Sequence, residues 1–300
     1  MRPFKIFLFV LAGIFLNITR SNAQFSTLSD FSYAIGGGGM YYNGDLSDDS
    51  FLPPLEVVNF FGSADISMLL VDRLDLSLRY MHGKVNGDDA LSGDPTRKAR
   101  NQSFYSNIDE ASLLLRARLF SVRKQKRVNP YGMFGLGYFW FKPKADLDGK
   151  SYELQPLGTE GQFITEGSYP TPYDLHSASL TYGIGCFIRL SEQFQLRLEA
   201  SPQLTFTDFL DDTSTNYPDS AALANTVNGA IAVLFSSRRP KGFPDEGKGR
   251  GNPERNDVIV AVGFSVVYTP ILKQRYKPLK PGVINKVFKG KRGWWGDSPD

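Results

Sequence analysis

The stretch Arg73-Leu-Asp-Leu-Ser-Leu-Arg-Tyr-Met-His82 decides the fold. Leu74, Leu76, Leu78 and Tyr80 share one parity, and Arg73, Asp75, Ser77 and Arg79 share the other. Side chains of a strand switch faces at every residue, so this is a β-strand with one apolar and one charged face. Just upstream, Ala64, Ile66 and Met68 alternate with Ser63, Asp65 and Ser67. Only Val71-Asp72-Arg73 separates the two runs, which predicts an antiparallel hairpin with a tight turn. Alternation alone does not say which face meets water. A soluble barrel and a membrane barrel both satisfy it.

The same pattern recurs along the chain. Strand one is expected over Tyr33–Tyr42, with Gly36 to Gly39 marking close packing or bending rather than a phosphate loop, since no GxxxxGK[S/T] pattern follows. Asn43 to Val57 reads as a loop, the hairpin supplies strands two and three, and Lys84 to Ser103 reads as a second polar loop. Strand four covers Phe104–Phe120, with Glu110, Ser112, Arg116 and Arg118 on its polar face. After the basic turn Arg123-Lys-Gln-Lys-Arg127 comes strand five, Tyr131–Phe141, in which Phe134, Leu136, Tyr138 and Trp140 oppose Met133, Gly135 and Gly137. A long loop, Lys142 to Asp174, precedes strand six, Ser177–Leu190, and strand seven, Gln193–Phe206, where Arg197 and Glu199 oppose Phe194, Leu196 and Leu198. In the longest connection, Thr207 to Asn256, Ala and Leu recur at helical density over Ser220–Phe235, predicting a short helix. Strand eight is Asp257–Tyr268.

Connection lengths choose between the two barrels. Those after strands one, three, five and seven are long and those after two, four and six are short, the asymmetry of an outer-membrane barrel. The polar face carries Asp65, Asp75, Arg79, Glu110, Arg116, Arg197 and Glu199, both signs together. Turned inward, these charges fill a narrow lumen and neutralise one another; Arg79, Arg116 and Arg197 are expected to be held by Asp65, Glu110 and Glu199. Tyr80, Tyr138 and Trp140 stand toward the long-loop end of the apolar face, and Phe194 and Tyr268 toward the other, as interfacial girdles do. The expectation is an all-β, eight-stranded antiparallel up-and-down transmembrane β-barrel with long extracellular loops and a short helix in the last loop.

At the N-terminus, Arg2 and Lys5 precede an apolar run from Ile6 to Leu16 and then Ser21-Asn22-Ala23, the pattern of a secretory signal peptide over 1–23. The barrel is assigned to 24–269 and a basic C-terminal tail to 270–300, with both termini in the periplasm and the loops near Asn86, Gln155 and Asp211 outside. The lone Cys186 excludes an internal disulfide and falls on an apolar face, where it packs. A net charge of +3 is too small to imply nucleic acid.

Chemistry is sparse. His176-Ser177 and His82 each sit at a strand end, and a His beside a Ser there is more often a rim pair than a catalytic one. Asp146-Leu-Asp148-Gly149 and Asp211-Asp212 are acidic enough to be considered for calcium, but the later ligands of a calcium loop are missing and acidic loop tips are usually solvated. No catalytic residue, metal, cofactor or small-molecule substrate is expected. A solute channel is the alternative reading, beside a purely structural barrel, but an eight-stranded barrel leaves little open lumen and the paired charges would obstruct what remains.

Several loop stretches carry a resemblance. They are Tyr41-Tyr-Asn-Gly-Asp-Leu46, Arg100-Asn-Gln-Ser-Phe104, Tyr152-Glu-Leu-Gln-Pro-Leu-Gly-Thr-Glu-Gly161, Phe206-Thr-Asp-Phe-Leu-Asp-Asp212 with Tyr217-Pro218, and Arg250-Gly-Asn-Pro253. In combination they resemble the PorG-like outer-membrane barrels of Bacteroidota, one of which belongs to the type IX secretion system. The resemblance implies an accessory barrel, surrounded by outer-membrane lipids, that associates with a periplasmic ring built by a lipoprotein and its partner. The docking residues would be Arg123, Lys124, Lys126 and Arg127 in the turn, with Lys286, Phe288, Lys289, Lys291, Arg292, Trp294 and Trp295 in the tail. Aromatics among basic residues suit a segment that anchors on a protein while its charges steer approach.

Overall fold

The computed structural model describes residues 31–47 and 53–270. The expected signal peptide and the tail beyond Pro270, with its proposed docking residues, lie outside the described residues. The described residues form nine strands: β1 (Phe31–Asn43), β2 (Asn59–Val71), β3 (Leu74–Asp88), β4 (Ser103–Arg118), β5 (Val128–Leu147), β6 (Lys150–Glu153), β7 (His176–Arg189), β8 (Phe194–Thr205) and β9 (Val258–Tyr268). Every pairing is antiparallel, β1 pairs with β9, and β4 pairs with β5, so the sheet closes on itself. The short β6 pairs with β5 alone and stands outside the ring, which therefore has eight strands.

Burial turns this barrel inside out relative to a soluble one. Asp65, Ser77, Arg79, Glu110, Ser112, Arg116, Arg197 and Gln203 are buried in the lumen, while Ile35, Phe60, Phe134, Leu136, Ile184, Val262 and Phe264 stand exposed on the outer wall. In water such a wall would leave a continuous apolar band uncovered; in a bilayer it is solvated by acyl chains. The wall is that of a transmembrane barrel, as the loop asymmetry predicts. At one rim Tyr138 and Trp140 pack edge to face at 5.2 Å, and at the other Phe194 and Tyr268 are cross-strand neighbours at 5.3 Å.

The differences from expectation lie beyond the membrane at the long-loop end. β3 runs on to Asp88, so Asn86 belongs to a strand and not to a loop. β5 continues through Leu147 and returns as β6, so the predicted long loop opens with a hairpin. Its turn is Asp148-Gly149, with φ of 51° and 75°. Left-handed backbone at both positions is what a two-residue primed turn requires, so these residues serve a hairpin and not a calcium loop. The second connection contains a helix, Pro95–Arg100, whose N-cap Asp94 accepts from the Thr96 amide at 2.7 Å. The predicted single helix is two, Ser220–Ala224 and Gly229–Ser236, split at Asn225–Asn228. Gly229 is required there, because a Cβ would lie 2.0 Å from the Ala224 carbonyl oxygen.

Candidate functional site

The lumen is barred by a layer of charge built from four strands. β2 brings Asp65, β3 Arg79, β4 Arg116, and β8 both Arg197 and Glu199. Arg116 donates to Asp65 at 2.9 Å, and Arg197 donates to the same carboxylate at 2.7 and 3.2 Å. Arg79 donates to Glu199 at 3.0 Å and to Ser112 at 3.3 Å, and Arg116 reaches the other Glu199 oxygen at 3.3 Å. The Tyr131 hydroxyl, from β5, completes Glu199 at 2.6 Å. In the ring order β3 and β8 are four places apart out of eight, so the Arg79–Glu199 pair spans the full width of the barrel. Toward the short-turn end, Asp75 takes two bonds from Arg118, at 2.6 and 3.2 Å, and that guanidinium lies 3.9 Å over the Phe187 ring.

Glu110 departs from the predicted network. It makes no ion pair among the described residues, accepts from Ser179 at 3.3 Å, and has one oxygen without a partner. Along β4 it stands three inward positions from Arg116, and that separation carries it out of the charge layer toward the loops. Room for it comes from Gly137, where a Cβ would lie 2.3 Å from the Glu110 carboxylate.

Above the lumen the long loops close into a cap over an apolar core that includes Met40, Met81, Phe139, Phe141, Leu154, Leu210 and Ile259. Two buried arginines knit the loops together. Arg100 grips Asp89 with two bonds of 2.7 and 2.8 Å, and donates to the carbonyls of Asp45 and Arg250, both at 2.7 Å. Arg250 donates to Glu160 at 2.9 Å, to the Ser236 carbonyl at 3.1 Å and to the Asp212 carbonyl. Glu160 also accepts from the amides of Ser214 and Thr215. Asp211 is not a solvated loop tip. It is 1% exposed, accepts from the Tyr42 hydroxyl at 2.5 Å and caps the Thr213 amide at 2.8 Å. Burial raises Asp208 to about 8 and Asp212 to about 6, and holds Asp211 and Asp257 well above the usual carboxylate range.

The remaining candidates separate. His176 faces outward and meets the Tyr138 hydroxyl at 2.7 Å, whereas the Ser177 hydroxyl is bonded to the Ala178 carbonyl, so the two do not form a catalytic pair. His82 and Tyr80 both bind Asp109 on the outer wall, at 2.8 and 2.5 Å. Among the described residues no group of three His, Cys, Asp or Glu side chains is placed to hold a metal ion. Arg123, Lys124, Lys126 and Arg127 are exposed at the turn between β4 and β5, where Arg123 pairs with Asp72 of the neighbouring turn at 2.8 Å.

An outward apolar wall, a lumen crossed by ion pairs and a knitted loop cap define the class: a small, occluded transmembrane β-barrel. Within that class the chain belongs to the family described as domain of unknown function DUF6089, whose model matches residues 5–232. No curated protein matches the sequence. Solved structures similar to it include Neisserial surface protein A (TM-score 0.38, 10% identity, covering 80% of this chain and 97% of that one). The outer membrane protein OprG from Pseudomonas aeruginosa is another (0.37, 12%, 80% and 96%). A third is Ail, the attachment invasion locus protein of Yersinia pestis, in complex with the heparin analogue sucrose octasulfate (0.34, 11%, 79% and 97%).

Proposed function

We propose that this protein is a non-enzymatic outer-membrane barrel that serves as an accessory or anchoring component of a protein secretion machinery. One observation carries the reading: the lumen is crossed by a charge layer that spans its width. A barrel so braced offers its surfaces, not its interior, to partners. The exposed basic turn Arg123–Arg127 is such a surface at the short-turn end, and the basic, aromatic sequence after Pro270 is the second candidate segment. The resemblance to PorG-like barrels of Bacteroidota supplies the finer reading, a type IX-like system whose periplasmic ring lipoprotein and its partner dock on those segments.

Truncation after Pro270 is expected to leave a folded, membrane-inserted barrel that no longer captures periplasmic ring proteins in a pull-down read by mass spectrometry. Capture of the same proteins by the truncated barrel would remove the tail from the mechanism. Orientation has its own check. In a Cys186→Ser background, Val227→Cys, fully exposed on the cap, should label on whole cells with an impermeant thiol reagent, and Lys126→Cys should not. The reverse pattern would place the cap in the periplasm.

A further inference from the structure

The cap holds a surplus of buried negative charge. Among the described residues six carboxylates are buried in it, Asp89, Glu160, Asp208, Asp211, Asp212 and Asp257, against two guanidiniums, Arg100 and Arg250. Asp89 is neutralised by Arg100 and Glu160 by Arg250; Asp212 lies 3.7 Å from Arg250. Asp208, Asp211 and Asp257 have no cation of their own among the ion pairs of the described residues. Both Asp208 oxygens and one Asp257 oxygen lack a hydrogen-bond partner there.

These three come together by construction. The Asp257 amide donates to the Thr207 carbonyl at 3.1 Å and its carboxylate accepts from the Leu210 amide at 2.9 Å, so the segment carrying Asp208 wraps around Asp257. At Gly44 a Cβ would lie 2.0 Å from the free Asp257 oxygen and 2.1 Å from the Tyr42 hydroxyl, so both oxygens converge on the space the glycine leaves. Tyr42 in turn donates to Asp211. The charged and titratable groups that face this cluster are Tyr42 from β1, Asp45 from the first loop, Arg100 from the second and Glu160 from the third, while Arg250 of the fourth faces Glu160 and Asp212 beside it. Ionising all three aspartates in so confined a space sets like charges against one another without water to screen them.

We infer that the cap is a proton-held latch, in which protons carried by Asp208, Asp211 and Asp257 keep the loops closed and loss of those protons loosens them. Burial fixes the direction of the effect. An aspartate held above its ordinary 3.8 contributes stability that is fully present below about pH 4 and is lost as pH climbs through its folded value, about 8 for Asp208. The latch is therefore tightest in acid and weakest in alkali.

Hydrogen exchange of the full-length protein in detergent micelles, corrected for intrinsic rates, tests this between pH 5.5 and 9. Amides of 206–214 and 249–257 are expected to lose about tenfold or more of their protection across that range, while strand amides hold theirs. Each tenfold fall in proton concentration weakens a latch held by one proton by up to about tenfold. Asp208→Asn and Asp257→Asn, neutral at every pH, should flatten the dependence. Tyr42→Phe, which keeps the ring and removes the donor, should displace it along the pH axis, and serves as the test if either Asn variant fails to fold. A pH-independent wild-type cap would overturn the latch, as would an Asn variant with the full wild-type dependence. Restoration of protection at pH 9 by calcium, reversed by chelator, would also overturn it, because a cation and not a proton would then be the neutralising species.

Discussion

Asp65→Ala is expected to destabilise the closed barrel by about 3–5 kcal/mol, the cost of breaking a buried ion pair by removing one partner. The carboxylate serves two guanidiniums, Arg116 at 2.9 Å and Arg197 at 2.7 Å, and also the Ser77 hydroxyl at 3.2 Å. Its loss leaves two cations confined in the lumen with Glu199 as their remaining acidic partner. The readout is the temperature at which the compact band on an unboiled gel gives way to the extended one. Arg79→Ala should cost less, because Glu199 keeps Arg116 and Tyr131 when Arg79 is gone. Adding Arg197→Met to Asp65→Ala should recover part of the loss, since one of the stranded charges leaves with it. A wild-type transition in Asp65→Ala would mean that water solvates the arginines and that the lumen is open at this level.

Arg250→Met should act on the cap and spare the barrel. Its guanidinium joins Glu160 in the third loop, the Asp212 carbonyl in the fourth, and the Phe235 and Ser236 carbonyls at the end of the Gly229–Ser236 helix. Removing it leaves Glu160 buried with backbone and hydroxyl donors but no cation. About 3–5 kcal/mol of local stability is at stake, again by the logic of a broken buried pair. Limited proteolysis of the folded protein should cut within 206–257 about a hundred times faster or more. The heat-modifiable shift of the barrel should stay where it is. Equal loss in both would show that cap and wall unfold as one unit, and an unchanged cleavage rate would show that Arg100 alone holds the loops.

The barrel wall was legible because parity is local information. Leu74 to Tyr80 announce a face without reference to any other strand, and the loop lengths then turn that face outward. Partnership inside the lumen was legible only in part, since Asp65 and Glu199 hold the three arginines and Glu110 holds none. Inward parity puts Glu110 among the acids expected to hold the lumen arginines, but parity carries no height, and three inward steps along β4 separate it from Arg116. Tyr131, which completes Glu199, was missed because an inward tyrosine looks like packing until its hydroxyl is seen to reach an acid. The hairpin turn at Asp148-Gly149 lay inside a stretch read as loop, although an Asp-Gly dipeptide favours the left-handed backbone of a tight hairpin.

The cap was both visible and misread. Each loop stretch behind the family resemblance contributes to it: Tyr42 and Asp45 from the first, Arg100 and Gln102 from the second, Glu160 from the third, Asp211 and Asp212 from the fourth, Arg250 from the last. Taken singly these look like solvated polar loops. Their common destination is a tertiary fact, since the bond from Arg100 to the Arg250 carbonyl joins residues 150 apart in the chain.

The charge layer also orders assembly in time. A hairpin such as β2–β3 can zip from its own turn, but Arg79 and Glu199 belong to opposite walls and meet only when β1 and β9 have joined. Arg116 and Arg118 of β4 find Asp65 and Asp75 on the neighbouring strands β2 and β3, but Arg79 takes its carboxylate from the far wall. The width-spanning pair is therefore complete only in the closed barrel, with the last strand docked on the first.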